Sequence, residues 1–342
     1  LGFTKWVDSG IAPEVRELAD IEWDARSERG AEFLEEGFHP LQGGPAFDVL
    51  LIRGKGPLRL LFRACHAAVD GRGMLHWVEE VFRALRGEAL LGAPATAREI
   101  DVMKKFQDKI PESVKRANND LLPASLPVIP PGPQPSGRQR YVWRCVTVAS
   151  DGSNAMPKMA VFLANYARRQ GDGPVSFTIP VDLRALREPM LSTGNVTGRI
   201  HLVVEQDDTA RKVMKLIAQK LRDYTDCWIP PVAGIVPWMP MSSVIKEVRK
   251  FCARGLYQQT SDLPSACLVS IGATPLEHFS APGFTARKFI GMPTFVGKMN
   301  VVFCNMGKEM AITIGVPEVY NSNGQLDALM SACATHFARP DE

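Results

Sequence analysis

The sequence predicts an α/β fold of two lobes, and three observations predict it. Strand-like and helix-like segments alternate on both sides of one proline-rich break, residues 122–137 (LPASLPVIPPGPQPSG). The 342 residues suffice for two domains of ordinary size. A content of 45% hydrophobic and 23% charged residues is that of a chain with a buried core rather than a disordered one.

The elements follow in order. Residues 47–53 and 58–66 read as two strands of a hairpin joined by Gly54-Lys55-Gly56-Pro57, with Phe47, Val49 and Leu51 alternating on one face. Residues 74–85 carry Met74, Val78, Val81, Phe82 and Leu85 at helical spacing, and Gly87 ends that helix. Six prolines in residues 122–137 favour an extended linker, which divides the chain into 1–121, the linker, and 138–342. Beyond it come a strand at 141–148, a helix at 156–170 with Met159, Phe162, Leu163 and Tyr166 on one side, and a strand at 175–181. Gly171-Asp172-Gly173 lies between helix and strand, the reverse of a nucleotide-binding glycine loop, and reads as a cap and turn. A strand at 200–204 leads into a helix at 209–224 carrying Val213, Leu216, Ile217, Leu221 and Tyr224, with Asp207 or Asp208 as its cap. Strands at 266–270, 299–303 and 310–316 follow, the last two paired across 305–308, and a helix at 326–337 closes the order.

Charge and cysteine usage narrow the function. Forty Lys and Arg against 37 Asp and Glu leave +3, too small an excess to indicate nucleic acid or a membrane surface as partner. A small molecule or another protein is expected. Seven cysteines, scattered and without a C-x-x-C pair, indicate neither a disulfide framework nor a zinc ribbon and fit a reducing cytoplasm. Residues 229–241 form the longest apolar stretch, but four prolines break it and it is too short to span a bilayer as a helix. The first ten residues have neither a basic start nor a long apolar run, so no signal peptide is expected there.

One motif carries chemistry. Within Phe62-Arg63-Ala64-Cys65-His66-Ala67-Ala68-Val69-Asp70-Gly71 lies H-x-x-x-D-G, at the end of a strand and just before an amphipathic helix. A strand end is where a cleft opens, and a neutral imidazole there is the usual base for a hydroxyl or amine near pH 7. Asp70 is expected to hold the turn through an Arg, and Gly71 to permit a backbone shape or close approach denied to other residues. The structural alternative is a histidine and a helix-capping aspartate in an ordinary βα turn. Cys65 and His66, as successive strand residues, would point to opposite faces, so a Cys-His nucleophile pair is not expected. The other histidines show no ligand spacing, and no metal site is expected.

Residues 65–71 resemble the HHxxxDG signature of the condensation-domain and chloramphenicol-acetyltransferase-like acyltransferases, with His66 as the second histidine and Cys65 in place of the first. Thr178-Ile179-Pro180-Val181-Asp182-Leu183-Arg184, followed by Gly194-Asn195, is similar to the Arg-terminated strand and Gly-Asn pair of that superfamily. Leu268-Val269-Ser270-Ile271-Gly272 resembles its Ser-Asn-x-Gly strand, with Ile271 replacing Asn. The resemblance runs from about residue 38 onward. The stretch before His66 is shorter than the family usually has, so part of the first lobe is expected to be missing.

What the resemblance implies is an α+β sandwich of two chloramphenicol-acetyltransferase-like lobes with a tunnel between them. His66 would be the general base, and Asp70 would pair with Arg184 across the two lobes. Ser270 and Asn195 would lie at the oxyanion or tunnel, although a serine closing a buried strand is more often structural. Trp238 and Met239 would line an acyl or acceptor channel, or belong to a packed loop. The activity implied is acyl transfer from a thioester to an alcohol or amine. The donor would be acyl-CoA or a phosphopantetheinyl carrier, so the partners are a small acceptor and possible carrier proteins, with no bound cofactor. A catalytically silent module that binds a carrier or partner protein is the alternative, and an isomerase or cyclase using the same histidine is a further one.

Overall fold

A computed structural model describes residues 12–36, 45–119, 124–133, 140–150, 152–230, 263–293 and 297–338, with a few positions between 239 and 250. Its strands form two sheets. The first has three strands, β1 (Val15–Leu18), β2 (Phe47–Ile52) and β3 (Arg59–Ala64), with β1 parallel and β3 antiparallel to β2. The hairpin is the expected one, but it stops at Ala64, so Cys65 and His66 lie in a turn beyond the strand. The Ala68 and Val69 N–H groups both donate to the Cys65 carbonyl at 2.8 and 3.2 Å, closing that turn. The opposite-faces argument for Cys65 and His66 therefore does not apply.

Helix α1 (Gly71–Leu85) follows at once, capped by Asp70, and buries Leu75, Val78 and Phe82 on one face. Arg86 and Gly87 end it, with Gly87 at φ +72° and the Glu88 N–H returning to the Arg83 carbonyl. Two short helices, α2 (Glu99–Lys104) and α3 (Glu112–Asn119), come before the proline-rich segment and were not evident from periodicity. Val102 and Ile110 bury there against Leu183, Val196 and Cys227.

The proline-rich segment is packed where it is described. Val128 and Ile129 are buried in the main core, the Leu126 N–H donates to the Pro174 carbonyl at 2.9 Å, and the Gly132 N–H donates to the Val319 carbonyl at 2.7 Å. Proline supplies no N–H, so this chain is held by its few free donors and by side-chain burial.

The second sheet has six strands: β4 (Tyr141–Ala149), β5 (Val175–Asp182), β6 (Thr197–Val204), β7 (Ala266–Ala273), β8 (Asn300–Asn305) and β9 (Glu309–Pro317), in the order β4-β9-β8-β7-β5-β6. The β5–β7 and β7–β8 pairs are parallel and the others antiparallel. Helices α4 (Ala155–Arg168), α6 (Ala210–Arg222) and α7 (Gln325–Phe337) cover one face, with Met159, Leu163, Val213, Leu326 and Leu329 meeting Phe177, Ile200 and Ile312. Thr209, rather than either preceding aspartate, caps α6: its side chain accepts from the Lys212 N–H, while Asp208 accepts from the Glu205 N–H.

The opposite face is covered at β4 by the residues before β2. Trp23 packs edge-on against Phe33 and Trp143, with ring centroids 5.4 and 6.2 Å apart, within a second core shared by Leu50, Ile52, Val302 and Cys304. Arg144 joins the pieces electrostatically, pairing with Glu28 at 2.8 Å and with Asp327 on α7 at 2.6 Å. No helix among the described residues is long and apolar enough to cross a membrane.

Candidate active site

Everything around the H-x-x-x-D-G motif is organised by one carboxylate. Asp70 is buried and uses both oxygens. Its Oδ1 accepts from the Gly73 N–H at 2.8 Å, filling one of the donors left open at the start of α1. Its Oδ2 accepts from Arg184 Nη1 at 3.0 Å, from the Val196 N–H at 2.7 Å and from Thr197 Oγ1 at 2.7 Å. The pairing of Asp70 with Arg184 expected from the two motifs is thus present, 114 residues apart in sequence.

Arg184 is delivered by the end of β5, where the one-turn helix α5 (Leu183–Leu186) begins. It is buried, and Asp70 shares its guanidinium with Asp182, at 2.8 Å, and with the carbonyls of Ser192 and Gly194. A planar fork with donors in several directions suits this role, and a lysine could not bridge the same set. The 192–197 loop is in this way tied to Asp70 from both ends.

His66 sits on this anchored loop and is exposed. Its backbone carbonyl lies 3.4 Å from Asn195 Nδ2, so Asn195 touches the loop that carries the imidazole. Cys65 is half-buried and its N–H donates to the Ala46 carbonyl. Behind the loop, Asp48 and Arg63 face each other across β2 and β3 and form a buried ion pair, with Arg63 Nε 2.7 Å from Asp48 Oδ1.

The expectation for Gly71 is corrected. Gly71 is exposed, does not hold a positive φ, and a Cβ there would meet nothing within 4 Å. The close approach occurs two residues on, at Gly73, where a Cβ would lie 2.2 Å from the Thr193 carbonyl oxygen. Gly73 therefore lets α1 sit directly on the 192–197 loop, a contact invisible to a local reading.

Arg72, between these glycines, was also missed. Its Nη1 donates to the Ile271 carbonyl at 2.7 Å, and its Nε lies 3.8 Å from Asp182 Oδ2. The end of β7 is thereby brought against the start of α1. Register slips on β7 between Ser270 and Ala273, and Gly272 has φ +87°, so the strand bulges there and continues three residues past its expected end. Ser270 is exposed at this bulge, not closing a buried strand. Met239 is half-buried; Trp238 lies outside the described residues. A surface cleft of about 520 Å³ is lined by Arg86, Leu276, Ser280 and Phe284 and includes none of the motif residues.

Comparison with known proteins decides the fold. No family model matches the chain, and no curated protein matches it. Among solved structures, the condensation domain of the Monacolin K polyketide synthase MokA aligns over 95% of this chain and 79% of its own, with TM-score 0.59 and 13% identity. The chain has the condensation-domain fold. The starter condensation domain of rhizomide synthetase RzmA, in complex with C8-CoA and Leu-SNAC, aligns over 96% of this chain and 79% of its own, with TM-score 0.57 and 12% identity. The first condensation domain of the calcium-dependent antibiotic synthetase, in complex with a substrate analogue, aligns over 95% and 74%, with TM-score 0.54 and 15% identity. The two-sheet, mixed α/β architecture is that of the chloramphenicol-acetyltransferase-like lobes of the condensation-domain fold.

Proposed function

We propose that this chain is an acyltransferase that moves an acyl group from a CoA or carrier-protein thioester to an alcohol or amine, with His66 as general base. The observation that carries this reading is an exposed imidazole on a loop whose anchor, Asp70, is buried and fully hydrogen-bonded, on a condensation-domain fold. Rigid support under an accessible base is what positioned proton transfer needs. Residues 1–121 and 138–342 are taken as the two lobes, joined by 122–137, with the substrates meeting in a tunnel between them.

His66 Nε2 or Nδ1 takes the proton of the acceptor as its oxygen or nitrogen attacks the thioester carbonyl carbon. The carbonyl electrons move to oxygen, and a donor such as Ser270 at the β7 bulge stabilises that oxyanion. Collapse of the tetrahedral species breaks the C–S bond, and the imidazolium returns its proton to the departing thiolate. Asp70, Arg184 and Asn195 hold the loop, Gly73 admits the close packing beneath it, and Met239 belongs to the acyl or acceptor channel.

The neighbour in complex with C8-CoA supports a thioester donor for this fold. Cys65 in place of the first motif histidine favours the second reading, a silent module that binds a carrier or partner protein without turnover. Incubation of the purified chain with acyl-thioester donors and pooled acceptors, reading thiol release and product mass together, tests the proposal. Turnover with a new ester or amide supports it; neither signal under any donor favours the silent module.

A further inference from the structure

The carboxylate that anchors the His66 loop takes donors from two pieces of chain, Arg184 on the one-turn helix α5 and Val196 with Thr197 at the start of β6. A single helical turn cannot fix its own direction. Within α5 the Arg187 N–H closes on the Leu183 carbonyl at 2.9 Å, and the Leu183 N–H donates to the Val196 carbonyl at 3.2 Å. The far end is held by the Arg187 side chain. Its Nε donates to Asp226 Oδ2 at 2.9 Å, and its Nη2 donates to Asp226 Oδ1 and to the Leu221 carbonyl, one of those left open at the end of α6.

Asp226 lies in the short helical turn Thr225–Cys227 and its side chain is fully buried, while Tyr224, just before that turn, holds φ +54°. A tyrosine keeps a left-handed backbone only where its surroundings over-determine it. Here its ring stacks on Phe106 with centroids 5.5 Å apart, and the Arg187 guanidinium lies 4.3 Å from its centroid. The same turn meets β6, because a Cβ on Gly198, next to Thr197, would lie 2.2 Å from the Asp226 carbonyl oxygen. Asp226 therefore holds α5 through its side chain and seats the start of β6 against its backbone. Arg184, Val196 and Thr197 reach Asp70 from one common support.

We infer that Arg187 and Asp226 are positioning residues for the base at His66: their buried ion pair keeps the donors of Asp70 in register, and Asp70 in turn holds the loop. The inference rests on the acyl-transfer reading above. A planar guanidinium that makes two bonds to one carboxylate while covering a ring sets direction as well as distance, which a lysine ammonium does not. An error of orientation at α5 would pass through Arg184 to Asp70 and so to the imidazole, and a base displaced in this way loses rate without losing substrate.

The test compares the full chain with its Arg187→Lys variant, which keeps the charge and loses the fork, and with Tyr224→Asn, which tolerates the left-handed backbone and removes the ring. Amide hydrogen exchange under native conditions reads the Gly73 and Val196 N–H groups, both donors to Asp70, against the amides of β9. Expected in Arg187→Lys is exchange faster by about tenfold or more at Gly73 and Val196 relative to β9. In acyl transfer kcat should fall about tenfold with KM unchanged, and Tyr224→Asn should act in the same direction to a smaller extent. Equal acceleration at all these amides reduces the pair to general stability and overturns the inference, as does no acceleration at Gly73 and Val196. A raised KM with kcat unchanged overturns it too, since the placement of the base would then be intact. Should Arg187→Lys fail to fold, Tyr224→Asn is judged by the same criteria. Exchange needs no turnover, so failure of this inference is distinguishable from failure of the acyl-transfer proposal.

Discussion

Arg184 Nη1 lies 3.0 Å from Asp70 Oδ2, and the two side chains are 9% and 4% exposed. At that burial the pair belongs to the costly class: removing one partner strands an uncompensated charge, whereas an exposed pair is worth little. Asp70→Ala should therefore cost ~3–5 kcal/mol, and Arg184→Ala a similar amount. Chemical denaturation of the two singles and the double checks this, with the double expected to cost clearly less than the sum. Additive losses would mean that the backbone and hydroxyl donors, not the ion pair, do the anchoring.

The two glycines at the start of α1 should respond in opposite directions. Gly73→Ala places a methyl 2.2 Å from the Thr193 oxygen and must displace backbone, costing ~1–3 kcal/mol and loosening the His66 loop. Gly71→Ala meets open space in the first turn of a helix and should be neutral or stabilising by about 0.4–1 kcal/mol. Paired melting curves separate them, and equal destabilisation would contradict the packing described.

His201 predicts a pH dependence of known sign. Its folded pKa, about 4, lies below the ordinary value of 6.5 because burial and then Arg199 and Lys220 disfavour the cation. The unfolded chain consequently binds the proton first as pH falls. The contribution is complete above about pH 6.5 and is lost on the way down to about pH 4, and amounts to at most ~3 kcal/mol. Urea unfolding at pH 7 and pH 4.5 should show a smaller difference for His201→Gln than for wild type. An identical difference in the two proteins would contradict the burial assigned to the ring.

How much of this could be read from the sequence depends on whether the signal was local. The strands and helices with strong periodicity, such as residues 71–85 and 210–222, lie within a few residues of expectation because one face of each meets a core. The pairing of Asp70 with Arg184 was legible only because two motifs were compared with a family. Gly73 was missed for Gly71 because the Thr193 carbonyl that demands a glycine is 120 residues away in sequence. Strand β1 was missed because four residues with alternate exposed and half-buried positions carry little hydrophobic pattern. The β7 bulge and its clasp by Arg72 depend on where α1 lands, and no composition or spacing announces that. Thr209 outcompeted two aspartates as the cap of α6, since only its position leaves the side chain opposite the Lys212 N–H.

Cys65→Ser should retain most acyl-transfer activity. The Cys65 hydrogen bonds are backbone ones, its N–H donating to the Ala46 carbonyl and its carbonyl accepting from the Ala68 and Val69 N–H groups, and serine preserves them. Turnover of a folded Cys65→Ser variant checks the point, and its complete loss would bring the thiol into the chemistry.

The most direct test of the central claim is the rate of acyl transfer by His66→Ala under the donor and acceptor that the wild-type protein uses, measured by thiol release and product mass. His66 is exposed, so its removal should leave melting unchanged and isolate the chemical role. The account predicts a rate lower by ~10²–10⁴ with donor binding intact. Activity within about twofold of wild type, from a variant that binds the donor normally, would contradict His66 as the base.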